Sequence, residues 1–117
     1  MSWYSCSRVT RSLAIVALAS FVTPTFASGG EAGEKVYAQT CIACHGANGK
    51  GAIPGVSDFT KADGPLANSD DTLFASIRDG LVTPGKPLSM PPKGGNPSLT
   101  DDEIQAVLDY LRSKFGS

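Results

Sequence analysis

Residues 41–45 read Cys-Ile-Ala-Cys-His, and this spacing constrains the chain more than any other stretch. On a helical turn Cys41 and Cys44 share a face, and His45, four residues past Cys41, points into the same space. Two thiols so placed can add to the two vinyl groups of a haem and form thioethers, while the imidazole can bind the iron. C-x-x-C-H is the attachment pattern of c-type haem. A zinc site or a thiol-redox C-x-x-C that merely precedes a histidine is the alternative. The first lacks an obvious fourth ligand, and the second lacks the βαβ pattern that normally carries it.

The N-terminus bears on where such chemistry happens. Arg8 and Arg11 precede an uncharged apolar run, Leu13–Val22, and Thr25-Phe26-Ala27 offers small residues at the positions a signal peptidase reads. Residues 1–27 are therefore expected to be an export signal cleaved near Ala27, and residues 28–117 a single haem domain. The run is short for a bilayer span, which disfavours an uncleaved anchor. Cys6 precedes the run and is expected to leave with the signal, so only Cys41 and Cys44 remain. Loss of Arg8 and Arg11 from ten basic residues leaves eight against eleven acidic ones, a net charge of about −3. With no basic patch, the composition excludes a nucleic-acid binder. A domain this short has a thin core that an attached macrocycle would thicken.

Along the mature chain, a first helix is expected from near Glu31 to Cys44, with Gly33, Tyr37, Thr40, Cys41 and Cys44 on one face. Glycine inside a helix costs about 1 kcal/mol relative to alanine, so Gly33 marks either the close approach of another helix or a frayed start. Gly46, Gly49, Gly51 and Gly55, with Pro54 among them, read as turns. Ser69 opens a second helix over Asp70–Asp79, with Leu73, Phe74 and Ile77 on one face and Gly80 at its end. Leu81–Leu99 holds five prolines and three glycines without periodicity. So long a loop in so small a domain makes sense if it lies against a cofactor. The last helix is the clearest. Thr100 and Glu103 form a capping box, Asp101 and Asp102 suit the positive end of the dipole, and Arg112 and Lys114 the negative end. Its apolar stripe is Ile104, Val107, Leu108, Leu111 and Phe115. No β alternation and no internal repeat appear, so the expected class is all-α.

His45 is the sole histidine, so a second axial ligand must be another residue type or the site stays open. Once Met1 leaves with the signal, Met90 is the only methionine. It stands in Leu88-Ser89-Met90-Pro91-Pro92, where the prolines stiffen the backbone. Ligation is favoured over a gap-filling core methionine, with Lys86 or Lys93 as weaker candidates. His/Met ligation closes the iron, stabilises its ferrous state and suits electron transfer rather than oxygen or peroxide chemistry.

These parts, in this order, resemble the bacterial class I mono-haem cytochromes c over about Gly33–Phe115. Asp58-Phe59-Thr60, the Leu73-Phe74 helix and Met90-Pro91-Pro92-Lys93-Gly94-Gly95 look especially like short periplasmic carriers and haem-c modules fused to larger complexes. The resemblance implies a small all-α fold of three to four helices and long loops around one covalently attached haem c. It implies that Gly33 and Tyr37 of the first helix cross Leu108, Tyr110 and Leu111 of the last. It also implies that the Pro54 carbonyl accepts a hydrogen bond from the ligand histidine, fixing its ring. Candidate pocket residues are Ile53, Phe59, Phe74, Ile77, Leu81 and Leu88. One departure is that Trp3 lies in the signal, so a tryptophan donor to a haem propionate, seen in some relatives, is absent.

The expected function is a periplasmic, monomeric electron carrier that exchanges electrons with redox partner proteins, has no membrane span after cleavage and is not itself an enzyme. Lys50, Lys86 and Lys93 flank the segments near the haem edge and could steer it toward an acidic partner. The alternative is a dedicated haem c subunit of a periplasmic dehydrogenase or reductase. A haem enzyme or gas sensor would need an open sixth site, which Met90 opposes.

Overall fold

The computed structural model describes residues 29–116. The expected signal over residues 1–27, its cleavage near Ala27, and Trp3 and Cys6 lie outside the described residues. The described chain is helical, as expected. Helix α1 (Gly29–Val36) runs through a π-helical turn, Tyr37–Cys41, directly into the short α2 (Ile42–His45). After turns come a 3-10 turn at Pro65–Ala67, helix α3 (Asp70–Asp79), a second 3-10 turn at Pro92–Gly95, and helix α4 (Asp101–Phe115). Among the described residues no strand forms, and the one β-type pairing is an isolated antiparallel bridge between Leu81 and Met90.

A regular first helix is not what forms. The π turn, closed by the Ile42 N–H donating to the Tyr37 carbonyl, inserts one residue and rotates α2 relative to α1. Gly33, Val36 and Tyr37 are thereby buried against the core, whereas Cys41 is half-buried and Cys44 exposed. A single helical face would have sent all of them the same way.

Helices α1 and α4 form the densest contact of the fold. A Cβ built on Gly33 would collide with the Ala106 carbonyl and fall 2.7 Å from Tyr110 Cβ, so only glycine admits this crossing. Tyr37 fills the space beside it, its ring centroid 5.5 Å from that of Tyr110 and 5.6 Å from that of Phe115. The whole expected stripe of α4, Ile104, Val107, Leu108, Leu111 and Phe115, is buried. Each such side chain contributes about 1.5–3 kcal/mol when removed from water.

The helix ends are as the sequence suggests. The Ser69 hydroxyl accepts from the Thr72 N–H at the start of α3. At α4 the Glu103 N–H donates to the Thr100 hydroxyl, and the Thr100 N–H donates to the Glu103 carboxylate at 2.9 Å. Arg112 does more than complement a dipole. Its guanidinium donates to Asp70 Oδ1 at 2.7 and 2.9 Å, to the Asn68 carbonyl at 2.7 Å and to the Leu66 carbonyl. One side chain of α4 thus clasps the whole 66–70 segment, with geometry only a planar fork can supply.

Candidate functional site

The C-x-x-C-H segment ends α2, where Gly46, at φ 77°, turns the chain away. The next turn folds back onto that end: the Gly51 N–H donates to the His45 carbonyl at 2.9 Å and the Ala52 N–H to the Cys44 carbonyl at 2.8 Å. The Tyr37 hydroxyl donates to the Gly46 carbonyl at 2.6 Å. Burial, with Cys41 and Tyr110 nearby, pushes that phenol up to about 12, so it remains a donor.

His45 lies flat on Phe59, ring centroids 4.5 Å apart and planes 13° from parallel. Phe59 in turn meets Phe115 at 6.0 Å, which ties the histidine to the aromatic group at the α1–α4 crossing. Burial lowers the pKa of His45, favouring the neutral imidazole that can donate a lone pair to a metal. Its Nδ1 is buried and makes no hydrogen bond. The bond expected from Pro54 is therefore not formed: Pro54 is exposed on the turn, and stacking on Phe59 orients the ring instead.

Met90 reaches the same region from the other side. The Leu81 N–H donates to the Met90 carbonyl and the Met90 N–H to the Leu81 carbonyl, both at 2.9 Å, pinching off the 81–90 loop. Gly80, at φ 83°, ends α3 so close to this segment that a Cβ there would lie 2.8 Å from the Met90 carbonyl oxygen. Pro91 is extended and Pro92 opens the 3-10 turn. Lys93, at φ 57°, is the one non-glycine residue in the left-handed region among those described. That turn rests on the π turn, where Asn96 donates to Thr40. The prolines alone do not hold this loop in shape; one two-bond bridge and a glycine contact position it.

Cys41, Cys44, His45 and Met90 all line one cavity, with about 1270 Å³ of empty space including its open mouth. Its floor is apolar: Leu66, Leu73, Val107, Leu108 and Leu111. Of the expected pocket residues, Phe59, Ile77, Leu81 and Leu88 line it. Ile53, Pro54 and Phe74 do not. Ile53 is 40% exposed on the glycine-rich turn, and Phe74 packs against the core with the Arg78 guanidinium over its ring. Lys86 lines the cavity; Lys93 does not. The floor is hard to find from sequence because the α4 stripe looks like a helix–helix core and nothing more. Its Val107, Leu108 and Leu111 serve both packings.

Burial, with Cys44 adjacent, pushes the Cys41 thiol up to about 11. That is opposite to the lowered thiol pKa of a redox-active C-x-x-C. Among the described residues, no three His, Cys, Asp or Glu side chains cluster as a metal site.

The family model described as "Cytochrome C oxidase, cbb3-type, subunit III" matches residues 29–111. Cytochrome c6 of Leptolyngbya boryana is 41% identical over 83 residues, covering 71% of this chain and 89% of that protein. The chain belongs to the class I mono-haem cytochromes c. The cytochrome is also 32% identical over 89 residues to the Cbb3-type cytochrome c oxidase subunit CcoP of Rhodobacter capsulatus, covering 73% of the chain and 29% of that protein. It is 32% identical over 87 residues to lupanine 17-hydroxylase [cytochrome c] of a Pseudomonas species, covering 72% of the chain and 11% of that protein. The chain thus spans under a third of these two relatives.

The family carries covalently bound haem c and transfers electrons. The cavity fits such a group: an apolar floor for a macrocycle, two thiols at one wall, and a half-buried imidazole and a thioether among its lining groups. The sulfur and nitrogen donors suit iron held in a haem.

Proposed function

We propose that this cytochrome is an exported one-electron carrier, with residues 28–117 as the mature haem domain after cleavage near Ala27. Cys41 and Cys44 would hold the haem as thioethers, and His45 and Met90 would bind its iron. The observation that carries the reading is that these four side chains, from α1–α2 and a loop 45 residues further on, line one apolar cavity. The haem supplies reversible one-electron exchange at iron. The chain supplies the rest. The neutral imidazole of His45 is held by Phe59, the Leu81–Met90 bridge holds the thioether, and the apolar floor excludes water. With both donors on the iron, rearrangement between oxidation states would be limited and no position would be left for a substrate, so the domain would act on none by itself. No helix among the described residues is long and apolar enough to cross a membrane.

A second reading makes the domain one part of a larger redox assembly. It is supported by the small share that this chain covers of CcoP and of lupanine 17-hydroxylase. A stoichiometric complex on isolation from the native source would favour it, and a free monomer the carrier.

The test of the site is mass spectrometry and optical spectra of the exported protein: oxidised, reduced, and reduced with carbon monoxide. A covalent haem, a low-spin spectrum with a methionine–iron charge-transfer band and no carbon monoxide shift are expected. An unmodified chain would end the haem assignment at Cys41 and Cys44. A rapid carbon monoxide shift would end the assignment of Met90 as ligand.

A further inference from the structure

The cavity has one charged wall residue. Among its lining residues Lys86 is the only lysine, arginine, aspartate or glutamate. Lys86 sits on the Thr83–Pro87 turn, closed by its own N–H donating to the Thr83 carbonyl at 3.1 Å. Its side chain takes part in neither of the two ion pairs among the described residues. Beside the cavity lies a polar groove, and the two share Val56, Ser57, Pro65, Asn68 and Lys86. None of these comes from α2, which carries Cys44.

The chemistry of a haem makes this rim meaningful. Its vinyl and propionate groups stand on opposite sides of the macrocycle. Thioethers at Cys41 and Cys44 would tie the vinyl side to α1–α2, so the carboxylates must leave by a rim remote from the thiols. They cannot enter the floor of Leu66, Leu73 and Leu108, because an unpaired carboxylate in an apolar setting is strongly disfavoured. The shared rim offers water, a hydroxyl, an amide and one cation.

We propose that Lys86 is the counter-ion of the haem propionates, and that it raises the reduction potential of the cytochrome. The inference rests on the haem assignment above. A cation at the propionates offsets their negative charge at the iron, which favours the ferrous state. It also keeps a propionate ionised to lower pH. The groove's other charged groups are Lys50, Asp58, Lys61 and Asp63. Asp58 is occupied by Thr60, whose N–H and hydroxyl donate to it at 2.8 and 2.7 Å. The titratable groups on the cavity side are Tyr37, His45, Cys41 and Cys44, the last two consumed by attachment.

The test is a redox titration of the haem-loaded wild type and of Lys86→Gln, Lys86→Arg, Lys50→Gln and Lys61→Gln, from pH 5 to 9 at low salt. Lys86→Gln should lower the midpoint potential and move the pH-dependent segment of the potential upward by about one pH unit. Lys86→Arg should restore both, and added salt should shrink the difference. A wild-type potential and pH profile in Lys86→Gln overturns the proposal. So does a shift in Lys50→Gln or Lys61→Gln that equals or exceeds that of Lys86→Gln. Carbon monoxide binding gained by Lys86→Gln would make Lys86 an iron ligand and also overturn it. A wild-type protein without covalent haem overturns the haem assignment first, and this proposal with it.

Discussion

Two regions of the cytochrome hold their shape by different means. Where α1 crosses α4, Gly33 meets the Ala106 backbone, and Ile104, Val107 and Leu108 are at most 1% exposed. The loop from Leu81 to Met90 is the reverse. Leu81, Val82 and Leu88 are 47, 77 and 42% exposed, and the loop is closed by one pair of backbone hydrogen bonds. The crossing gets its free energy from burial and close packing, whereas the loop gets its position from a bridge, two prolines and a glycine contact. The crossing is therefore expected to set whether the domain folds, and the loop, with Met90 as the proposed ligand, to set the properties of the iron. The aromatic run from Tyr110 and Tyr37 through Phe115 and Phe59 reaches His45 on α2, so the histidine, unlike the loop, is tied directly to the crossing.

The comparison breaks most sharply at Met90. Met90→Ala should leave the haem attached through Cys41 and Cys44 but open the sixth site. The expected result is carbon monoxide binding that goes from none to stoichiometric and a lowered potential. An unchanged spectrum and potential would transfer the ligand role elsewhere. At the crossing, truncation of a side chain that does not line the cavity should act only on folding. Ile104→Ala, at a fully buried position away from the cavity, should destabilise by about 3–4 kcal/mol, measured by denaturant unfolding, with an unchanged spectrum. Gly33→Ala should cost about 2–3 kcal/mol, because its methyl meets backbone that cannot rotate aside. In a domain of this size that lowers Tm by at least about 8 °C. A Gly33→Ala protein as stable as wild type would mean that the helices separate easily and that the crossing is not the rigid part.

The contrast also explains which parts are legible in the sequence. Periodicity and end chemistry are local, so Ser69, Gly80, Thr100 and the α4 stripe can be read directly. The C-x-x-C-H spacing is local too, and Met90 stands out because it is the sole methionine of the domain. The features that escape such a reading are non-local or geometric. The π turn carries no strong composition cue, so the rotation that separates Tyr37 from Cys44 is not visible in the residues. Ile53 and Phe74 are apolar and near the right segments, but their direction depends on turns that periodicity does not describe. Pro54 is assigned by family pattern alone, and here the Phe59 stack takes over its orienting part. Arg112 reads as a dipole partner, since nothing in the sequence connects it to Asn68 forty-four residues away.

The smallest expected effects lie at the α4 N-cap, and they test whether the rigid region carries any pH dependence. Thr100→Ala removes the hydroxyl that accepts the Glu103 N–H and should cost about 1 kcal/mol without altering the potential. The carboxylate half of the box is subtler. The Thr100 N–H, then its hydroxyl, donate to Glu103 and hold its pKa below the ordinary 4.5. A depressed folded-state pKa stabilises the fold above the unfolded value, and that stabilisation is lost as pH falls through the folded one. Glu103→Gln keeps an acceptor but removes the charge. Wild type should therefore melt slightly above Glu103→Gln at pH 7, and the gap should close as the pH drops below the ordinary 4.5. Asp58 and Asp79, whose pKa values are also lowered, titrate in both proteins and cancel in the difference. A gap that stays constant with pH would mean that the box works through hydrogen bonding alone. A gap accompanied by a shift in potential would mean that the α4 cap and the haem site are coupled, and the division between folding region and redox region would fail.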